Sequence, residues 1–150
     1  MNEKLEIFTD GGCHGNPGPG GWAFRIVANG KTIVHELNGF DAETTNNRME
    51  LQAVIEALRY AGTVYPGNPD IVVTTDSTYV RNGITQWIRK WKKNGWVTAA
   101  RQPVKNRELW QSLDEISEIV RPKWEWVRGH SGDEHNEACD SLVQAAIRGN

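Results

Sequence analysis

The chain has 150 residues and a formal net charge of −2, with 17 basic and 19 acidic side chains, a size that predicts one domain over residues 1–150. Its two cysteines are too few for a disulfide scaffold and do not form the CxxC pair of a structural zinc site. The N-terminus does not resemble a signal peptide, and no apolar run approaches the ~20 residues of a membrane span, which predicts a cytoplasmic protein without membrane contact.

The first half of the chain predicts three strands and a helix. Residues 5–10 alternate apolar and polar side chains, and strand-like runs at 22–27 and 33–37 are joined at Asn29-Gly30, a strong hairpin signal. Apolar residues then recur at helical spacing from Met49 to Ala61. The chain therefore begins with antiparallel strands that a helix follows.

The second half is mainly helical. Its predicted elements are a strand at 71–73, two or three helices within 77–119 with breaks at Gly83, 94–95 and Pro103, a strand at 123–127, and a helix from about 134 to 147. This order of elements indicates an α/β fold, in which a mixed sheet with an antiparallel start is packed by helices.

Basic residues are concentrated in one segment. Eight of the 17 lie between Arg81 and Arg107, where no Asp or Glu occurs, so the rest of the chain carries nine basic and 19 acidic residues, or −10. Because local clustering sets the field that a polyanion meets, this segment predicts a nucleic-acid-binding surface. Trp87 and Trp91, four residues apart, could instead pack into the core with the cations as the solvent side. The lysines expected to face phosphates are Lys90, Lys92 and Lys93.

Four carboxylates, Asp10, Glu50, Asp76 and Asp140, are candidate metal ligands. Each has an ordinary alternative, namely a turn for Asp10, a capping box for Glu50, an N-cap for Asp76 and a solvated helical charge for Asp140. Glu50, however, shares the core-facing stripe of its helix, where a carboxylate needs a partner. Four carboxylates would suit two Mg²⁺ ions about 4 Å apart, as in a two-metal phosphodiesterase.

Two polar loops carry further candidates. The loop 11–21 lacks the Lys-Ser/Thr of a phosphate-binding P-loop, but its glycines permit close approach to a ligand, and Asn16 can both donate and accept hydrogen bonds. His130, in a Gly-flanked loop, could transfer protons near neutral pH or be an ordinary surface histidine. His14 and His135 are expected to be surface residues.

Together these motifs resemble bacterial-type ribonuclease HI, the endonuclease that cuts the RNA strand of an RNA/DNA hybrid. The motifs are Phe-Thr-Asp-Gly at 8–11 with Gly-Asn-Pro-Gly at 15–18, Thr-Asn-Asn-Arg-Met-Glu-Leu at 45–51, Thr-Asp-Ser at 75–77, and the segment 129–140. Their order covers nearly the whole chain. The resemblance implies the ribonuclease H-like fold, a mixed five-stranded sheet with three antiparallel N-terminal strands and then parallel strands, flanked by helices, with a basic handle at about 85–102.

The resemblance also implies the chemistry. Two Mg²⁺ ions, replaceable by Mn²⁺, would be held by Asp10, Glu50, Asp76 and Asp140, with Asp10 touching both and His130 assisting proton transfer or product release. The products would carry a 5′-phosphate and a 3′-hydroxyl. The implied substrate contacts are Cys13, Asn16 and Asn46 for the RNA strand near its 2′-hydroxyls, Thr45 and Asn106 for a DNA phosphate, and Tyr79 and Trp87 for the DNA sugars.

Two local departures and two alternative functions accompany this interpretation. Thr78 stands where relatives often have Gln, and Asp133 and Glu134 follow His130, which bears on local substrate contacts. The alternatives are an integrase- or resolvase-like member of the same superfamily that acts on DNA, and a noncatalytic module that binds hybrids. We expect a monomer with no obligate protein partner.

Overall fold

The computed structural model describes residues 3–128 and 134–149. Its centre is a five-stranded sheet in the order β3-β2-β1-β4-β5, in which β1 pairs antiparallel with β2 and β2 with β3, whereas β4 pairs parallel with β1 and β5. The predicted mixed sheet is confirmed. The strands are β1 (Leu5–Cys13), β2 (Gly18–Ala28), β3 (Thr32–Thr44), β4 (Ile71–Thr75) and β5 (Lys123–Trp126).

Helices cover both faces of the sheet. They are α1 (Asn46–Val64), α2 (Thr78–Asn82), α3 (Ile88–Asn94), α4 (Arg107–Val120) and α5 (Glu134–Arg148). The main core joins one face of the sheet to α1 and α4, and a smaller core joins the other face to α5. No helix within the described ranges is long and apolar enough to cross a membrane.

The predicted break at Gly83 is wrong. A π-helical turn, Gly83–Trp87, instead joins α2 to α3. Glycine is required there because a Cβ at this position would overlap the ring of Trp110, which is fully buried. The helical path therefore continues past a residue that sequence reasoning takes as a stop, because close packing against the tryptophan needs a residue without a side chain.

The first strand is longer than predicted, and this changes the place of Asp10. β1 continues through two glycines to Cys13, and Asp10 pairs with Ala23 inside the ladder. At Gly11 a Cβ would overlap the backbone of Met49 and Glu50 in α1. Gly11 therefore permits the close approach of α1 to the strand, and Asp10 is not a turn residue.

Candidate active site

Three carboxylates from distant parts of the sequence converge at one edge of the sheet. Asp10 lies on β1, Asp76 directly follows β4, and Glu50 lies near the start of α1. One carboxylate oxygen from each lies within 4.8 Å of the other two. Asp10 and Asp76 meet because β1 and β4 are adjacent and parallel, and each aspartate lies two residues beyond the register pair Phe8–Thr74.

The capping alternatives for two of these residues are excluded. Thr45 is the N-cap of α1 and accepts a hydrogen bond from the Arg48 backbone N–H at 3.2 Å, so Glu50 is not the N3 residue of a capping box. Ser77 caps α2 by accepting from the backbone N–H of Val80 at 3.1 Å. The side chains of Glu50 and Asp76 therefore need another explanation than helix capping.

Asp140 reaches the same edge from the opposite face. It lies in the middle of α5 with an exposed side chain, close enough to Asp10 that its charge helps to raise the pKa of the Asp10 carboxyl. The buried neighbour Cys139 packs in the smaller core, and its Sγ donates to the Phe8 carbonyl at 3.4 Å. We call Asp10, Glu50, Asp76 and Asp140 the carboxylate cluster.

Electrostatics within the carboxylate cluster favour a bound cation. Burial, together with the neighbouring charges of Asp76 and Asp140, raises the pKa of Asp10 to about 7. Burial and the charges of Asp10 and Asp76 raise the pKa of Glu50 well above its usual range. None of the ion pairs in the described residues involves the cluster. Because every side-chain ligand is a carboxylate oxygen, this donor set fits a hard divalent cation such as Mg²⁺.

The predicted RNA-strand contacts lie together beside the start of α1. The Cys13 thiol donates to the carbonyls of Gly18 and Thr44 at 3.2 and 3.3 Å. Asn16 Oδ1 accepts from the Asn46 backbone N–H at 3.1 Å. The structure thus connects the first turn of the sheet with the helix that carries Glu50.

The predicted DNA-strand residues form a second group, the Tyr79 network, made of Tyr79, Asn106, Trp110 and Arg48. The Tyr79 hydroxyl accepts from Asn106 Nδ2 at 3.0 Å and from Trp110 Nε1 at 2.9 Å. Arg48 donates to Asn106 Oδ1 at 3.1 Å and to Glu108 at 2.6 Å. Sequence reasoning did not single out Arg48, although it lies inside the motif that holds Glu50.

A cavity of about 420 Å³ opens between the handle and the Tyr79 network. Its lining includes the rings of Tyr79, Trp87 and Trp91 and the side chains of Lys90 and Lys105. Tyr79 and Trp87 contact each other edge to face with ring centroids 5.7 Å apart. Both interpretations of the tryptophans therefore apply in part, since the rings pack against the main core and also face an open cavity.

The handle lysines point in different directions. Lys90 lines the cavity, whereas the Lys92 ammonium lies 3.4 Å from both Asp114 and Glu118 of α4. Lys93 lies on the exposed surface, and no ion pair among the described residues includes it or Lys90. Lys92 is thus partly neutralised by the body of the protein.

The histidines are placed as follows. His130, like Asp133, lies outside the described residues. His14 is exposed as expected, but the prediction that His135 is a surface residue is wrong. It is half-buried, with its ring 4.7 Å from that of Phe8 and its Nδ1 3.0 Å from Arg25 Nη1. Its neighbour Cys139, one helical turn later, continues the same buried stripe.

Comparison with known proteins assigns the family. The family model for RNase H matches residues 2–148. The chain is 50% identical over 145 residues to a ribonuclease H of Hydrogenovibrio crunogenus, covering 97% of this chain and 96% of that protein. It is equally 50% identical over 145 residues to a ribonuclease HI of Brucella melitensis, covering 97% and 90%. The chain belongs to the ribonuclease H family of enzymes.

Within this family, the chain has the features of bacterial ribonuclease HI. Solved structures agree with the fold. One is LC9-RNase H1, described as a type 1 RNase H with the type 2 active-site motif. It is 33% identical with a TM-score of 0.84, and the match covers 99% of this chain and 74% of that one. LC11-RNase H1, solved in complex with an RNA/DNA hybrid, is 27% identical with a TM-score of 0.74, covering 97% and 98%.

Proposed function

We propose that this enzyme hydrolyses the RNA strand of RNA/DNA hybrids by a two-metal-ion mechanism that leaves a 5′-phosphate and a 3′-hydroxyl. The observation that carries the proposal is the convergence of Asp10, Glu50 and Asp76 within 4.8 Å, with the charge of Asp140 close enough to raise the pKa of Asp10. The relative LC11-RNase H1, which binds a hybrid, supports the choice of substrate. We propose one domain over residues 1–150 that acts as a monomer without an obligate protein partner.

The carboxylate cluster would hold two Mg²⁺ ions, with Mn²⁺ as a substitute. Two such ions, when bound, supply activation of the attacking water and stabilisation of charge on the scissile phosphate. Asp10 would contact both ions, since the charges of both Asp76 and Asp140 are close enough to raise its pKa. His130 would assist proton transfer or product release, as a base or acid that does not hold the metal.

The two groups of contacts would hold the two strands of the hybrid on either side of the cluster. Cys13, Asn16 and Asn46 would lie against the 2′-hydroxyls that distinguish RNA from DNA. On the other side, Thr45 and Asn106 would hold a DNA phosphate.

In this arrangement Arg48 has an orienting role. Its hydrogen bond occupies the Asn106 carbonyl oxygen, while the amide nitrogen of Asn106 donates to Tyr79. Tyr79 and Trp87 would contact the DNA sugars, and the basic handle would face the phosphates beyond. Specificity for the hybrid would come from these separate contacts to the two strands.

Cleavage of a strand-labelled RNA/DNA hybrid tests the proposal directly. We expect Mg²⁺-dependent cutting confined to the RNA strand, lost with EDTA and in the Asp10→Asn variant, with 5′-phosphate ends on the products. Cutting of duplex DNA would support the integrase- or resolvase-like alternative. Firm hybrid binding without any cutting would support the noncatalytic module.

A further inference from the structure

A row of three side chains crosses the sheet beneath the start of α5. Phe8 on β1, Arg25 on β2 and Glu36 on β3 are direct neighbours in the register of the strands. Directly opposed residues point to the same face of a sheet. Phe8 belongs to the smaller core that α5 covers, so the row lies on the α5 face. Arg25 is therefore a charged residue placed under a helix, with only 13% of its side chain exposed.

The guanidinium of Arg25 is divided between two partners. Its Nε and Nη2 both donate to Glu36 Oε2 at 2.6 Å, and its Nη1 lies 3.0 Å from Nδ1 of His135. Because a guanidinium can only donate, Nδ1 must accept, and the ring proton of His135 then resides on Nε2. The Phe8 ring against the imidazole fixes the plane of the ring. Glu36 thus orients Arg25, and Arg25 orients His135.

His135 is the polar first member of the buried stripe of α5. The stripe continues at steps of four through Cys139, Val143 and Ile147, which pack against the sheet. Apolar contacts are not directional and give little resistance to a small slide or rotation of a helix. A hydrogen bond is directional and resists both movements.

The described side-chain contacts hold α5 on both sides of Asp140. On the C-terminal side, Asn38 Nδ2 donates to the Leu142 carbonyl at 2.7 Å and His14 Nε2 lies 2.8 Å from Gln144 Oε1. On the N-terminal side, His135 is held by Arg25 and Phe8, and the weakly donating Cys139 thiol bonds to the Phe8 carbonyl at 3.4 Å. Each residue adds about 1.5 Å to the length of a helix, so a slide by a single step would separate Asp140 from Asp10.

We propose that the Glu36–Arg25–His135 relay is a positioning device that sets the place of Asp140 in the carboxylate cluster. His135 and Arg25 do not touch the reacting atoms in this proposal and act only through α5. The inference rests on the proposed function, because it assumes that the carboxylate cluster binds divalent metal. A relay with a purely structural role would stabilise the fold without affecting metal affinity through Asp140.

The test compares Mn²⁺ affinity without substrate, by titration calorimetry, in two backgrounds. His135→Leu keeps an apolar side chain on Phe8 but removes the acceptor for Arg25. We expect it to weaken Mn²⁺ binding about tenfold when Asp140 is present, the low end of the range for outer partners of metal ligands. In the Asp140→Asn background the same change should have less than a twofold effect. Equal weakening in both backgrounds, or none in either, would overturn the proposal.

Two further variants separate positioning from folding. His135→Gln retains an oxygen that can accept from Arg25 and should keep Mn²⁺ affinity within about twofold of the unmodified protein. His14→Leu is the matched control, since it makes the same substitution at an exposed histidine that also contacts α5. It should leave Mn²⁺ affinity unchanged. A loss in His14→Leu equal to that in His135→Leu would also contradict the proposal.

Amide hydrogen exchange supplies a readout that needs no metal. In His135→Leu we expect faster exchange at residues 137–140, with residues 144–148 unchanged, because the N-terminal side of α5 keeps only the weak bond of the Cys139 thiol. Uniform or unchanged exchange along α5 would overturn the positioning role. If the unmodified protein bound no Mn²⁺, the proposed function would fail, and the exchange experiment would still decide whether the relay anchors the helix.

Discussion

The carboxylate cluster and the Tyr79 network both use the first turns of α1, yet their polar groups are arranged in opposite ways. In the cluster, acceptors face acceptors, and the pKa of Asp10 rises to about 7. In the Tyr79 network, each donor meets an acceptor at 2.9 to 3.1 Å. The comparison indicates that the crowded carboxylates of the cluster lower the stability of the metal-free fold but leave oxygens available for a cation. The paired groups of the Tyr79 network keep a preformed surface without lowering the stability of the fold.

The largest expected effect is the loss of catalysis in the carboxylate cluster. Asp10→Asn should lower kcat on a hybrid by at least about 1000-fold, because it removes the ligand that we propose contacts both metals. Steady-state kinetics with saturating Mg²⁺ would measure it. Asp70→Asn, just before β4 at the opposite end of the sheet, is the matched control and should retain activity. Near-normal kcat in Asp10→Asn would contradict the assignment of the cluster.

The Tyr79 network should respond through stability and binding together. Tyr79→Phe removes the acceptor of two donors, Asn106 and Trp110, and should destabilise the protein by about 1–3 kcal/mol. Urea unfolding and hybrid binding would be measured side by side. Tyr60→Phe is the control, because it makes the same substitution at a tyrosine that stacks on His35 and is not a member of the Tyr79 network. Equal stability losses in both variants would contradict the network.

The metal-free protein should lose stability as pH rises from about 4 to about 7. The pKa of Asp10 is 3.8 in its ordinary state and about 7 in the fold, so the folded protein binds more protons in that interval. Asp10→Asn should remove the decrease in stability that comes from Asp10. Near pH 8 the variant should therefore be more stable than the unmodified protein, by on the order of 1–2 kcal/mol. Urea unfolding in EDTA at pH 5 and pH 8 would measure the stability of both proteins. The same change in stability with pH in both would argue against a raised pKa of Asp10.

The smallest effects should distinguish the handle lysines. Lys90→Gln should reduce the slope of log affinity against log salt by roughly 1, as expected for one lost phosphate contact. Lys92→Gln should change it less, because its ammonium is shared with Asp114 and Glu118. Lys93→Gln should resemble Lys90→Gln. Hybrid binding titrations over a range of salt would show this, and identical slopes for the three variants would contradict the separate roles.

Much of the fold was accessible from local patterns. The period of two in β1, the Asn29-Gly30 hairpin and the apolar stripe of α1 all depend on neighbouring residues, and the structure confirms these elements. The exceptions are at glycines. The sequence predicts a turn at Gly11 and a helix break at Gly83, but both residues lie within continuous elements. At Gly11 the backbone of α1 occupies the space that a side chain would need, and at Gly83 the ring of Trp110 does so.

The site was likewise only partly accessible from the sequence. The carboxylates could be selected because their motifs occur together, but each alone had an ordinary explanation. The exclusion of Glu50 and Asp76 as caps needed the hydrogen bonds of Thr45 and Ser77. Arg48 and His135 were missed because their partners, Asn106 and Arg25, are distant in the chain.

The sequence by itself determined the class of fold, the order of the elements, the family resemblance and the chemical types available to the site. These properties follow from short-range periodicity and from motifs in a fixed order. Only the tertiary structure decided which carboxylates meet, which lysine is neutralised and how Arg25 of the sheet holds His135 of α5. Those outcomes depend on strand register and helix placement, which bring together residues far apart in the chain and set their distances.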